Sequence, residues 1–390
     1  NSLVVIELTS EKIKELVNYL ITEQRAHPLS KQFNLIITKN GYNLSINNKL
    51  FDITKTYFVL TSDYLQNGGD NMNFFKDPIS ITNIDYKVRN AFNHFFGGID
   101  TFYSPYIRLN GKLIIKNSYK NDILPENNTE LEVIPQIITN DVDEFLFVSK
   151  YVQELGYKEL NWNLGCPYPM VTKRGMGSGL IADTEKINTI LHKIHNESDI
   201  LVSMKMRMGY DTPEEILDVL PILDTYPLKN IAIHARIGKQ LYKGGTNLEA
   251  FQKCLDNSKH KMYYNGDITS VTAFKKLKER FNSIDHWMIG RGLIADPFLP
   301  SMIKNNTTEY PKNRFDIFNE FHDRIYQEYD AALSGPTPIK MKMLGFWEYF
   351  SQSFSNPQKT YKKIKKATNP KKYEIAVREI LKEAKDKNGK

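Results

Sequence analysis

Two cysteines in 390 residues, Cys166 and Cys254, are too few for a disulfide framework, which points to a reducing, cytoplasmic setting. No apolar run approaches the roughly 18 residues of a membrane-spanning helix, so no membrane association is expected. The opening stretch NSLVVIELTS has no basic-then-apolar leader, and no secretory signal is expected there. Neither apolar content (41%) nor charged content (25%) departs from that of a soluble globular protein. The length exceeds what one ordinary core supports, so more than one domain is expected, in a monomer.

Acidic residues are scarce in one place above all. From Pro311 to the end, 17 Lys+Arg face 10 Asp+Glu, a balance of +7 that equals the net charge of the whole chain. Between Lys359 and Lys372 there are seven lysines and no acid. Such a run can be a merely solvated face, or it can bind phosphates.

From about residue 131, short β-rich runs alternate with longer amphipathic ones. The strand candidates are 131–138, 158–163, 200–206, 230–235, 261–266 and 286–290, with another near Asp100–Tyr106. Helical patterns such as DVDEFLFVSKYVQEL and TPEEILDVLPIL lie between them. This alternation predicts a parallel sheet with crossover helices, here an α/β fold of the (β/α)8 barrel type. Beyond about Tyr310 the β signal stops and helices follow. The expected organisation is a small α+β segment over 1–85, a barrel over 86–308 and a helical domain over 309–390.

Polar residues close the β runs: Gln136, Asn163, Lys205, His234 and Asn265, with Gly290 and Arg291 closing another. In a parallel barrel all these ends share one face, the face that carries chemistry. A lone His234 would read as a satisfied core histidine, but the set is chemically coherent. Gln136 and Asn163 can bond the edge of a heterocycle. Lys205 can meet an edge of such a ring where negative charge grows. The stretches YNGDI and IGRG offer backbone N–H groups and a guanidinium to a phosphate. Cys166 stands in NLGCP, just past a strand, followed by glycines 175, 177 and 179. It is either a buried thiol beside a Gly-Pro turn or a reactive one. Cys254, in FQKCLDN, reads as helix packing.

Residues from about 90 to 375 resemble the tRNA-dihydrouridine synthases. The matching pieces are PQI (135–137), NLGCP (163–167), MKMR (204–207), IHAR (233–236), NGD (265–267), IGRGL (289–293) and KMKMLGFWEYF (340–350). The resemblance implies an FMN flavoprotein that uses NADPH to reduce a tRNA uridine, with a helical RNA-binding tail and no metal. It assigns Gln136, Lys205 and His234 to the flavin, and Asn265, Gly266, Asp267, Gly290 and Arg291 to its phosphate. Asn163 and Arg236 fall near the flavin–uracil pocket, and Cys166 is the proton donor. Lys362, Lys363, Lys365 and Lys366 become candidates for tRNA phosphates. Two other readings stay open: an FMN barrel of the dihydroorotate dehydrogenase kind acting on a small molecule, and an inactive fused RNA-binding relic.

The first 85 residues fall outside that resemblance. The run YFVLTSDYLQNGGD at 57–70 is similar to the C-terminal domain of 5′-nucleotidases, in which a Gly-Gly-Asp loop and an aromatic ring hold a nucleoside. Phe74 and Phe75 are either that ring or core packing, and packing is the expectation. No D-x-H or N-H-[DE] of a two-metal hydrolase is present, so hydrolysis is not expected. The synthase family opens with a strand ending A-P-x-x-G, and no such motif occurs in KDPISITNIDYKVR (76–89). The crossover is placed within 83–92, and the barrel is expected to lack its standard first strand unless FKDPISIT replaces it.

Overall fold

The computed structural model describes residues 3–23, 33–38, 41–46, 49–66, 68, 71–84, 87–109, 111–332 and 336–388. The chain divides into two compact units: Asn1–Tyr86 with Gln327–Gly335, and Lys87–Tyr326 with Pro336–Lys390. Most of the helical tail therefore groups with the parallel sheet.

In the first unit, β1 (Leu3–Leu8) is flanked by β5 (Tyr57–Ser62) and β6 (Ser80–Ile84), both antiparallel to it. A second small antiparallel sheet contains β2 (Phe33–Thr38), β3 (Gly41–Ile46) and β4 (Lys49–Leu50). Helix Ser10–Glu23 turns Ile13, Leu16 and Val17 inward against Ile6, Leu8, Phe74 and Phe75. Both phenylalanines are core packing, in edge-to-face contact with ring centroids 4.7 Å apart. Gly69 and Asp70 of the Gly-Gly-Asp run lie outside the described residues. FKDPISIT does not stand in for a barrel strand, because Ser80–Ile84 is spent pairing with β1.

The second unit is built on a seven-stranded sheet: β7 (Thr101–Ile107), β8 (Glu132–Ile137), β9 (Glu159–Leu164), β10 (Leu201–Arg207), β11 (Ile231–His234), β12 (Met262–Asn265) and β13 (Trp287–Met288). Neighbours follow chain order and all pairings are parallel. Each sequence-predicted run became one of these strands. Crossover helices open on side-chain caps: Asp141, Asp183, Asn247 and Ser270 each accept the N–H three residues on. A cap of this kind contributes about 1 kcal/mol. Trp162, Tyr264, Phe145, Phe251 and Phe281 are fully buried.

Among the described residues β7 and β13 are the sheet's two edges, so the barrel carries seven strands and does not close. One irregularity falls near the opening. Pro105 and Pro135 lack the N–H that a ladder needs. The β7–β8 register slips between Tyr103 and Tyr106, and the N–H of Gln136 donates instead to Ser104 Oγ at 3.1 Å.

A cavity of about 1480 Å³ runs along the barrel interior. Its walls include Lys205, His234 and Arg291 at the carboxyl ends of the strands and Glu132, Glu159 and Lys229 at their amino ends. A closed barrel fills that interior with layers of side chains from every strand. With seven strands among the described residues, that filling is incomplete.

In the tail, helices Arg314–Ala332 and Pro336–Phe350 bury Phe318, Phe321, Trp347 and Phe350. Tyr373 joins them to helix Pro370–Asn388, accepting from Trp347 Nε1 at 2.8 Å and bonding His322 Nε2 at 2.8 Å.

Candidate active site

The cysteine loop is fixed by its own sequence. Asn163 Oδ1 accepts the N–H groups of Gly165 and Cys166, both at 3.0 Å, turning the chain sharply off β9. The Cys166 carbonyl accepts from the N–H of Ser178 at 3.0 Å and from its Oγ at 3.1 Å. Gly177, at φ +58°, passes so close that a Cβ there would lie 2.6 Å from the same carbonyl oxygen. Arg207 donates through Nε to the Gly165 carbonyl at 3.2 Å and through Nη1 to that of Ile237 at 2.7 Å. The thiol itself is 7% exposed among Ile138, Val171 and Met176, with Tyr106 Oη 3.8 Å from Sγ.

Beneath the loop runs a chain of amides. Asn163 Nδ2 donates to Gln136 Oε1 at 2.7 Å, Gln136 Nε2 to Asn161 Oδ1 at 2.8 Å, and Asn161 Nδ2 to Ser203 Oγ at 2.9 Å. Gln136 and Asn163 are thus together, and each fixes the other's orientation. Asn265 reaches sideways instead, donating to the Met288 carbonyl at 2.7 Å and tying β12 to the short β13.

The rest of the site is a cluster of cations. Lys205 and Arg207 are two apart on β10 and so share a face. Lys205 Nζ has no hydrogen-bond or ion-pair partner among the described residues. Burial, and then the neighbouring Arg207, lower its pKa to about 8. Arg236 makes a bidentate pair with Asp267, at 2.9 and 2.5 Å, and also donates to the Gly244 carbonyl at 2.6 Å. Arg291 reaches Asp267 at 3.3 Å while its guanidinium lies 4.3 Å from the Tyr242 ring centroid. One carboxylate therefore serves two arginines, and the side chain of Asp267 organises cations rather than meeting an anion itself. Desolvation and the surrounding cations drop the His234 pKa to about 2, so the ring is neutral. Its Nε2 lies 3.3 Å from Arg236 Nη1, which can only donate, so the proton sits on Nδ1. Gly266 lies at φ +141°, where a Cβ would meet Thr246 at 2.6 Å, whereas one on Gly290 would meet nothing.

The four candidate lysines separate. Lys363 turns inward, 3.0 Å from both Glu379 and Glu383. Lys362, Lys365 and Lys366 are exposed along one face of helix Pro357–Lys366. Tyr106, Ser178 and Tyr242 escaped the sequence reading, and Arg207 entered it only as the last letter of MKMR. The K-x-R spacing on one strand was the signal for Arg207. Nothing local marked the other three.

An α/β sheet with a held cysteine and a cation-lined cavity at its carboxyl ends defines an enzyme site of the barrel type. The dihydrouridine synthase family model matches residues 83–385, and the chain belongs to that family. It is 28% identical over 229 residues to the tRNA-dihydrouridine(16) synthase of Pseudomonas syringae pv. tomato, covering 56% of this chain and 71% of that one. A probable tRNA-dihydrouridine synthase of Rickettsia bellii is 28% identical over 51% of this chain and 63% of its own. One from Helicobacter pylori (strain J99) is 32% identical over 44% and 52% respectively. The matches thus span from about half to seven tenths of these relatives. Among solved structures, morphinone reductase is similar over 45% of this chain, with 13% identity and a TM-score of 0.32. No helix among the described residues is long and apolar enough to cross a membrane, and none of their His, Cys, Asp and Glu side chains gather as a metal site.

Proposed function

We propose that this chain is a flavin-dependent oxidoreductase that holds FMN in the barrel cavity and reduces a tRNA uridine to 5,6-dihydrouridine. The observation that carries this reading is the unpartnered Lys205 ammonium facing the cavity beside a neutral His234 and two arginines. A half-buried cation on a cavity wall without a counter-ion is costly, and an anionic ligand relieves that cost. The donor set fits the cofactor. Lys205 would face the electron-rich edge of the flavin ring, His234 Nδ1–H would donate to it, and Arg291 with the Gly266 and Gly290 backbone would hold the phosphate. When bound, FMN supplies the hydride for C6 of the uracil, replenished from NADPH.

The remaining work belongs to the chain. The base must leave its stack to enter so deep a site. Cys166 gives its proton to C5, from a loop that Asn163, Ser178 and Arg207 hold in place. Lys362, Lys365 and Lys366 contact tRNA phosphates, a surface that a small-molecule substrate would not need. The open β7–β13 side favours a second reading, a flavin-free RNA-binding relic. Absorbance of the purified protein near about 450 nm decides between the two.

Two further outcomes are expected. Lys205→Ala weakens FMN binding by roughly 10- to 100-fold, the worth of a charged hydrogen bond. Lys205 is cationic below about pH 8, so wild-type affinity falls as pH rises through that value and the alanine variant loses this dependence. Equal affinities in a flavin titration would remove Lys205 from the site. For the tail, Lys362→Gln, Lys365→Gln and Lys366→Gln together weaken tRNA binding and reduce the log–log salt slope by roughly 0.7–0.9 per lost contact. Lys363→Gln costs helix packing instead and leaves the slope unchanged. A filter-binding salt series checks both.

A further inference from the structure

We propose that Tyr106 is a positioning residue for the proton donor: its hydroxyl donates to the Cys166 sulfur, aims the thiol and stabilises the thiolate left after proton transfer. This rests on Cys166 being the acid. Tyr106 Oη lies 3.8 Å from Sγ, and no other side-chain partner reaches that sulfur among the described residues. The other neighbours of the thiol, Ile138, Val171 and Met176, are apolar and offer a thiolate nothing. A thiolate formed among apolar side chains is left without a hydrogen-bond donor of its own. One O–H donor aimed at the sulfur supplies it.

The proton balance closes on the thiol alone, and the tyrosine acts only on the charge left behind. As C5 is protonated, the S–H bond breaks, a C–H bond forms, and the electron pair stays on sulfur. The hydride delivered to C6 supplies the other electron pair, so Tyr106 is neither oxidised nor consumed. Burial, and then the contact with Cys166, push the Tyr106 hydroxyl up to about 12. It therefore remains a donor at every working pH. The other charged or titratable groups around the pair are Lys205 and Arg207 from β10, which favour a thiolate, and Arg108 and Tyr119 beside the tyrosine. The residue is placed by β7, whose register sets Tyr106 opposite Gln136 and so at the level of the amide chain beneath the cysteine loop.

The test is Tyr106→Phe, which keeps the ring and removes only the hydroxyl. Alkylation of Cys166 by iodoacetamide, followed as a function of pH by mass spectrometry of its own peptide, reads thiolate formation without tRNA or flavin. The expected result is an apparent thiol pKa raised by about one unit, a roughly tenfold slower alkylation on the acid limb. Single-turnover uridine reduction should slow by a similar factor, with flavin content and melting temperature unchanged. An alkylation profile that coincides with wild type overturns the proposal, whatever happens to turnover. If Cys166→Ala still reduces uridine at full rate, it is the assignment of the acid that fails, and the alkylation shift would still be seen.

Discussion

Cys166→Ala is expected to leave flavin binding and flavin reduction by NADPH intact while turnover on tRNA falls by about 10²–10⁴, the usual worth of a positioned acid. The structure says why the change should be so selective. Everything that shapes the loop grips the backbone: Asn163 holds two N–H groups, Ser178 the Cys166 carbonyl, and Arg207 the Gly165 carbonyl. Alanine keeps each of those bonds and loses only the sulfur. No hydrogen bond links the cation cluster around Lys205, His234 and Arg291 to the thiol among the described residues. Single-turnover assays with pre-reduced enzyme isolate the step, since hydride transfer to tRNA is then measured apart from flavin reduction. A wild-type rate there would take Cys166 out of the mechanism and return it to the role of a packed thiol.

How much of this was legible in the sequence depended on range. The strands of the barrel were readable because each is a short run closed by a polar residue and followed by an amphipathic helix. Those local patterns survive intact in β8 to β12. The gathering of Gln136, Asn163, Lys205 and His234 followed from one topological rule, that parallel strands present their carboxyl ends together. What escaped was pairing across long sequence distances. Lys363 sits in a lysine run that looks wholly solvated, yet it reaches two glutamates on the next helix. Asp267 reads as part of a phosphate loop, yet its carboxylate is occupied by Arg236 and Arg291. Tyr106 carries no motif at all. It matters because β7 sets it beside a loop some sixty residues downstream. Ser80–Ile84 shows the opposite failure. An apolar alternating run looked available for the barrel, but its partner was β1.

That last pairing bears on the other large effect. Replacing residues 1–86 by a strand ending in A-P-x-x-G is expected to raise both FMN affinity and the melting temperature. The reason lies in the two edges, β7 and β13, that the seven-stranded sheet shows among the described residues, and in the cavity that the sheet lines. An eighth strand pairs with β7 and β13 together and sends alternate side chains into the core. Two or three inward apolar side chains contribute about 1.5–3 kcal/mol each. In a unit of this size roughly 2 °C of melting temperature follows each kcal/mol, so a rise of roughly 6–18 °C is expected. Flavin affinity gains by exclusion of water. Buried polar atoms without partners, Tyr103 Oη, Glu159 Oε1, Asn230 Oδ1 and His286 Nδ1 among them, belong to residues lining the amino-terminal half of the open barrel. Closing it strengthens every electrostatic contact made by Lys205 and Arg291. Calorimetry and a flavin titration on the two proteins, side by side, measure both quantities. A swap that lowers affinity and melting temperature together would mean that the native first unit already does the work of the missing strand, and that the open edges of the sheet are covered in the working protein.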